Sequence, residues 1–275
     1  MNESMPDTGE RMIPEKTHSG VFWEHVFRYA FACQKIKGLD VMDIASGEGY
    51  GTHALSKTAK SVVGVDISPE AVAHARKKYG LDYRVGSAEQ IPIEPSSLDA
   101  IVSFETIEHV PNPEKFVREA FRILKSQGVF IVSTPNKSTY RHDHASNPFH
   151  CSEMTKAEFI SVLCPFFEIK GVFGQVFPSN PLDEFSSTIG KLSNRLGFYV
   201  RQHLKIPIEK SLRSRFLPEG IESDVGKRQA VVDSIPSLSP PFNNLWNPFA
   251  VRKFAGSEKN EPTYLVAVAT RRSDK

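Results

Sequence analysis

The chain has 275 residues, 40% of them hydrophobic, enough to bury one large core or a core with an insertion and too apolar for a disordered chain. A formal net charge of +2 is too mild for a nucleic-acid-coating surface, no apolar run is long enough to span a membrane, and the polar amino terminus lacks a signal-peptide core. Cys33, Cys151 and Cys164 form a sparse, odd set without metal-type pairing, which suits a reducing, cytoplasmic compartment.

Met1 to about Ser19 is polar and broken by Pro6, Gly9 and Pro14, as an extended arm would be. Within it TGERMIPEK sets Met12 and Ile13 between charges, a pattern for a segment folding over a site or for a disordered tail. VFWEHVFRYAFACQKI then predicts a helix whose stripe of Phe22, Val26, Tyr29, Ala30 and Cys33 packs into a core, ending at Gly38.

The next stretch, VMDIASGEGYG, is an apolar run that ends in an acid and passes at once into closely spaced glycines. That is a buried parallel strand turning sharply into a helix expected near Thr52. Gly47, Gly49 and Gly51 allow positive φ and let a ligand approach the main chain, under the free N–H groups of the helix. A dinucleotide fingerprint would need a third glycine where Thr52 stands, and Asp43 before the loop would repel a pyrophosphate. The same acid could accept hydrogen bonds from the amino group of a cationic, amino-acid-bearing cofactor. A tight turn with no ligand is the bland alternative.

SVVGVDIS is a second strand, and its Asp66 lies about 20 residues beyond the loop, where a carboxylate can take both ribose hydroxyls. Ser68-Pro69-Glu70 opens a helix with a serine cap and proline at its first position, and its basic end stops at Gly80. LDYRVGSAEQIPI supplies a third strand followed by Ser87, Ala88 and Glu89, and LDAIVSFETIEHV a fourth. A helix from Pro113, a fifth strand in GVFIVSTPN, a helix from Thr155 to Leu163, a sixth strand in FFEIKGVFGQVF and a seventh in PTYLVAVATRR complete the alternation. This order predicts an α/β, doubly wound, Rossmann-like, mostly parallel sheet whose ligands lie beyond the carboxyl ends of the strands.

From Val41 to Asn136 these motifs resemble the class I S-adenosylmethionine-dependent methyltransferases. The resemblance implies cofactor contacts at Asp43, Ala45, Gly47, Gly49, Asp66, Ile67, Ser87, Ala88, Glu89 and Phe104, with Asp66 on the ribose and Ser87-Ala88-Glu89 on the adenine. It also implies a last strand entering antiparallel between the fifth and sixth. The family often has glycine where this chain has Ala45, which narrows the approach there.

If the chain turns helical after Phe104, then Glu105, Glu108 and His109 lie at i, i+3 and i+4 on one face, and His150 enters the same crevice from beyond the fifth strand. Two carboxylates and two imidazoles suit magnesium or manganese. ETIEH is similar to the E-x-x-E-H element of ubiquinone-pathway and small-RNA 2′-O-methyltransferases, which implies a metal held by Glu105, Glu108, His109 and His150, with His150 and His109 as the catalytic candidates. In the alternative, also met in class I enzymes, the histidine supports the cofactor loop without metal, Glu105 faces solvent and Glu108 makes a local hydrogen bond. His142 and His144 are expected to be solvated.

Residues 1–37 are thus expected to form an arm and helix over the site, 38–177 with 262–275 the cofactor-binding core, and 178–261 an insertion serving as lid, acceptor site or homo-oligomer contact, with RLGFYVRQHL its clearest helix. TGERMIPE, HVFRYAFA, DIASGEGYG, FETIEHV and STPN…NPFH together are most similar to bacterial methyltransferases associated with glycan assembly. That resemblance implies a sugar hydroxyl as acceptor. A quinone precursor or other small molecule is the second reading, a non-catalytic cofactor-binding scaffold the third, and nucleic acid is not expected.

Overall fold

The computed structural model describes residues 11–17, 19–140, 149–175, 225–237, 251–253 and 262–273. Helix α1 (Ser19–Cys33) leads into β1 (Asp40–Ile44), α2 (Tyr50–Ser56), β2 (Ser61–Asp66), α3 (Pro69–Tyr79), β3 (Asp82–Val85) and β4 (Leu98–Ser103). Then follow α4 (Pro113–Ile123), β5 (Leu124–Pro135), α5 (Lys156–Leu163), β6 (Phe167–Gln175), α6 (Val225–Ser234), a 3-10 turn, β7 (Arg252–Lys253) and β8 (Tyr264–Arg271). The sheet order is β3-β2-β1-β4-β5-β8-β6-β7. Strands β1 to β5 pair in parallel, whereas β8 runs antiparallel to both β5 and β6. The expected fold and antiparallel last strand are therefore observed. Beyond the seven expected strands, two residues of the stretch expected to be an insertion add β7 antiparallel to the edge of β6.

The order reverses between β1 and β4, which opens a crevice at the carboxyl ends of those strands. Alternation along each strand feeds two cores. Val41, Ala100, Val102 and Val266 face the layer of α1, α2 and α6, while Met42, Ile44, Ile101 and Leu265 face α4 and α5. Asp43 shares the face of Val41, so it points into the α1–α2 layer and not toward α4.

The helix signals act as read. Ser68 accepts a hydrogen bond from the Ala71 amide, Pro69 opens α3, and Gly80 closes it with φ 66°. Thr155 and Glu158 form a reciprocal capping box at α5. Phe22, Val26, Tyr29, Ala30 and Cys33 are all in the core. α2 starts at Tyr50, two residues before Thr52, because Gly49 already takes the capping turn at φ 96°.

Two expectations need correction. The arm is not extended throughout: residues 13–17 turn back, with the amides of Lys16 and Thr17 both donating to the Ile13 carbonyl, and Met12 and Ile13 are buried. Nor does a helix follow Phe104. Glu105 takes φ 51°, which ends regular structure, and residues up to Val110 form turns before Asn112 caps α4. RLGFYVRQHL, His142 and His144 lie outside the described residues.

Candidate active site

The turn from β1 to α2 contains three left-handed residues, Ala45 (φ 61°), Gly47 (φ 55°) and Gly49 (φ 96°). Only glycine takes this conformation freely, so Ala45 carries a local cost of about 1 kcal/mol. The glycines divide by role. A Cβ on Gly49 would lie 2.7 Å from the Cβ of Ala75 and 2.8 Å from the Tyr83 hydroxyl, which itself donates to the Gly49 carbonyl at 2.9 Å. A Cβ on Gly51 would overlap the Tyr29 ring. Both glycines therefore make room for the protein's own tyrosines. Gly47 alone of the three meets no aromatic ring: its neighbour is the Arg11 side chain, in ordinary contact at 3.6 Å.

Asp66 ties the loop to the second strand. Its Oδ2 accepts from the Gly47 amide at 2.7 Å and its Oδ1 from the Ser68 amide at 2.9 Å. Each oxygen retains a second lone pair for a hydroxyl. Beside it Ile67 stands 71% exposed, an apolar surface of the kind on which a planar base can rest. Past β3, the Ser87 Oγ accepts from the Glu89 amide, and Ala88 packs against the α4–α5 core. The Glu89 carboxylate accepts from the Asn112 amide at 2.9 Å, so this acid braces the start of α4.

Asp43 is fully buried, and its carboxylate accepts from the Thr52 hydroxyl at 2.7 Å and the Tyr29 hydroxyl at 3.1 Å. Burial pushes its pKa up to about 7, the two hydroxyls opposing the shift and the charge of Asp66 adding to it. It thus acts from beneath, joining α1, β1 and α2 under the turn. Phe104, at the end of β4, packs edge-on against Tyr29 with centroids 5.0 Å apart.

Next along the crevice, the expected four-ligand set becomes three. Glu108, His109 and His150 each present a ligand atom, all within 4.8 Å of one another. Glu105 is not among them. Its left-handed backbone turns it to Ser133, whose hydroxyl donates to the Glu105 carboxylate at 2.8 Å and accepts from its amide at 3.1 Å. His150 arrives because the Glu108 carbonyl accepts from the amides of Cys151 and Ser152, at 2.8 and 2.9 Å. The histidine rings lie 4.9 Å apart. His109 Nδ1 donates to the Phe149 carbonyl at 3.0 Å, and His150 Nδ1 pairs with the Glu153 carboxylate at 2.9 Å. With Nδ1 engaged by these partners, Nε2 is the nitrogen each ring can turn to a metal, the arrangement usual for metal-binding imidazoles. Glu108 is fully buried, and among the described residues neither carboxylate oxygen has a hydrogen-bond partner, the Nε2 of His109 standing 3.9 Å from Oε1. Burial, reinforced by the charge of Glu105, pushes its pKa well above the usual carboxylate range. A buried, unsatisfied carboxylate beside two imidazole lone pairs is a donor set that fits a divalent cation.

Sequence reasoning missed the cluster behind these residues. Arg28 on α1 is fully buried; its Nη1 donates to the Gln175 side chain at 2.7 Å and its guanidinium lies 4.7 Å from the Tyr264 ring centroid. Among the described residues its Nε and Nη2 have no acceptor, and Glu24 Oε1, one turn earlier, has no donor. Burial lifts Glu24 to about 7, with Arg28 opposing and Glu105 adding. The signal was present in FWEHVFRYAF, where two charged residues at i and i+4 interrupt an aromatic helix.

Residues 42–132 match the family model described as "Methyltransferase domain". A Mycolicibacterium smegmatis protein named as a probable S-adenosylmethionine-dependent methyltransferase is 36% identical over 192 residues, covering 68% of this chain and 74% of that one. A ubiquinone biosynthesis O-methyltransferase of Xanthomonas campestris is 34% identical over 116 residues, 40% of this chain and 48% of its own length. Among solved structures, a chain in complex with the Haloferax volcanii Trm112 methyltransferase activator superposes with a TM-score of 0.57 at 17% identity, covering 94% of each chain. At that identity the likeness concerns the fold alone.

Proposed function

This chain belongs to the S-adenosylmethionine-dependent methyltransferases, and from that premise we propose that it methylates a sugar hydroxyl, on an activated sugar or a growing glycan. The observation that carries an oxygen acceptor is the Glu108–His109–His150 cluster, which offers carboxylate and imidazole groups at the crevice. In the proposed arrangement, Asp66 accepts from the ribose hydroxyls, Ile67, Ala88 and Phe104 contact the nucleoside, and the Gly47 main chain borders the amino-acid end. The buried Nε and Nη2 of Arg28, without an acceptor among the described residues, suit the carboxylate of that end.

Transfer is an in-line displacement. The acceptor oxygen attacks the methyl carbon as the carbon–sulfur bond breaks, and the hydroxyl proton passes to an imidazole Nε2, His150 or His109. Holding the oxygen in line is the larger part of the task, and in the proposed arrangement it falls to Glu108 with the two histidines. With magnesium or manganese bound, Glu108, His109 and His150 would instead be its ligands, their Nε2 lone pairs engaged; the cation would supply positive charge against the acceptor's developing negative charge and the hydroxyl proton would pass to water.

Support for a sugar comes from the motif series TGERMIPE, HVFRYAFA and STPN…NPFH, similar to methyltransferases of glycan assembly. The Xanthomonas relative favours a second reading, a phenolic quinone precursor with adjacent oxygens. Labelled cofactor incubated with extracted glycans, nucleotide sugars, catechol-like phenols and RNA separates them. Label on a glycan or nucleotide sugar is the expected result. Label on phenols alone selects the second reading, label on RNA alone refutes both, and transfer to nothing in the panel favours a scaffold.

A further inference from the structure

Residues 11–17 cross the glycine turn and are fastened on both sides of it. On one side Ile13 packs against Ala71 of α3, and Glu15 pairs with Lys78 of α3 at 2.8 Å. Lys78 also pairs with Glu48, a buried acid inside the turn itself. On the other side Arg228 of α6 donates through Nη1 to the carbonyls of Pro14 (2.8 Å) and Thr17 (2.5 Å), while its guanidinium lies 5.0 Å from the Phe22 ring centroid. Between these anchors the side chain of Arg11 lies against Gly47.

We propose that Arg228 is a positioning residue for the cofactor: it clamps segment 11–17 as a strap over the glycine turn, so that the insertion supplying α6 governs cofactor exchange. The inference rests on the reading of the turn as the cofactor cradle. Three features carry it. A single buried guanidinium satisfies two carbonyls of a segment that has few backbone bonds of its own, so the strap's closed form depends on α6. α6 is docked independently of Arg228, because Val231, Val232 and Ile235 are buried with Phe22, Trp23, Ala54 and Leu55, and His53 of α2 meets Asp233 at 2.9 Å. Removing the guanidinium should therefore free the strap and leave the helix in place. Finally, the strap lays Arg11 against Gly47, the glycine of the turn that neither Tyr29 nor Tyr83 crowds.

The test uses the full chain and S-adenosylhomocysteine. Dissociation is timed by displacement with excess S-adenosylmethionine, and trypsin cleavage after Arg11 is followed by mass spectrometry. In Arg228→Ala the dissociation rate should rise about tenfold, the effect expected for losing charged hydrogen bonds that hold a closed state, and cleavage after Arg11 should accelerate. Arg228→Lys should recover part of both effects. Glu15→Gln, which loosens the α3 side without touching the core, should shift both in the same direction. Unchanged dissociation in a folded Arg228→Ala variant overturns the proposal; if that variant does not fold, unchanged dissociation in Glu15→Gln overturns it. Absence of binding by the parent protein overturns the cradle reading instead.

Discussion

Replacing Asp43 by asparagine should stabilise the protein more as pH rises, because the parent protein bears the cost of a buried charge only at high pH. The carboxyl has no exposure and a folded pKa of about 7 against an ordinary 3.8. The folded value is raised, so between these limits the native state binds more protons than the unfolded state, and stability falls as pH rises through that window and levels off above 7. The full displacement corresponds to about 4 kcal/mol, of which about 2–3 kcal/mol falls between pH 5 and 8. Asparagine keeps the volume, and the Thr52 and Tyr29 hydroxyls can each donate to its oxygen or accept from its nitrogen. Chemical denaturation of both proteins at half-unit pH intervals reads the difference directly. Glu24, also raised to about 7, acts in the same direction but is common to both proteins and cancels. A stability difference that stays constant from pH 5 to pH 8 would refute the assignment of a buried, proton-binding Asp43.

Gly49→Ala should lower stability by about 3 kcal/mol or more, combining a left-handed φ with a clash against Ala75 and Tyr83, whereas Gly47→Ala should cost only about 1 kcal/mol. Equal melting temperatures for the two variants would contradict that division. Asp66→Ala should weaken binding of S-adenosylhomocysteine by about 1.5–3 kcal/mol, and undiminished affinity by calorimetry would remove Asp66 from the ribose subsite. Exhaustive chelation should abolish transfer while leaving cofactor affinity nearly intact. Magnesium or manganese should restore it, with His150→Ala needing a higher concentration; full activity after chelation would leave His150 a general base only, as a pH–rate profile would then test.

Local sequence sufficed wherever one chain neighbourhood determines the structure. The acid–glycine series from Asp43 to Gly49, the capping of α3 by Ser68 and Pro69, and the alternation of strands and helices all express short-range rules of φ, hydrogen bonding and apolar period. Each strand's pattern also implied two buried faces, hence a doubly wound sheet. Asp66 could be placed opposite the loop because its offset follows from one strand–helix–strand unit.

Contacts made across that distance were decided by tertiary structure. A helical reading of FETIEH put Glu105 with Glu108 and His109, but the Ser133 hydroxyl on the neighbouring strand holds Glu105 in a left-handed turn, at the cost of the helix and of the fourth ligand. Arg28 and Glu24 escaped notice in the sequence because their roles depend on β6 and β8, which bring Gln175 and Tyr264 against Arg28. Gly49 and Gly51 read as room for a ligand, yet Tyr83 and Tyr29 fill that room. Local rules set which conformations each segment can adopt at low cost; which side chain finally occupies a given space depends on partners tens of residues away, and only the packed chain contains that information.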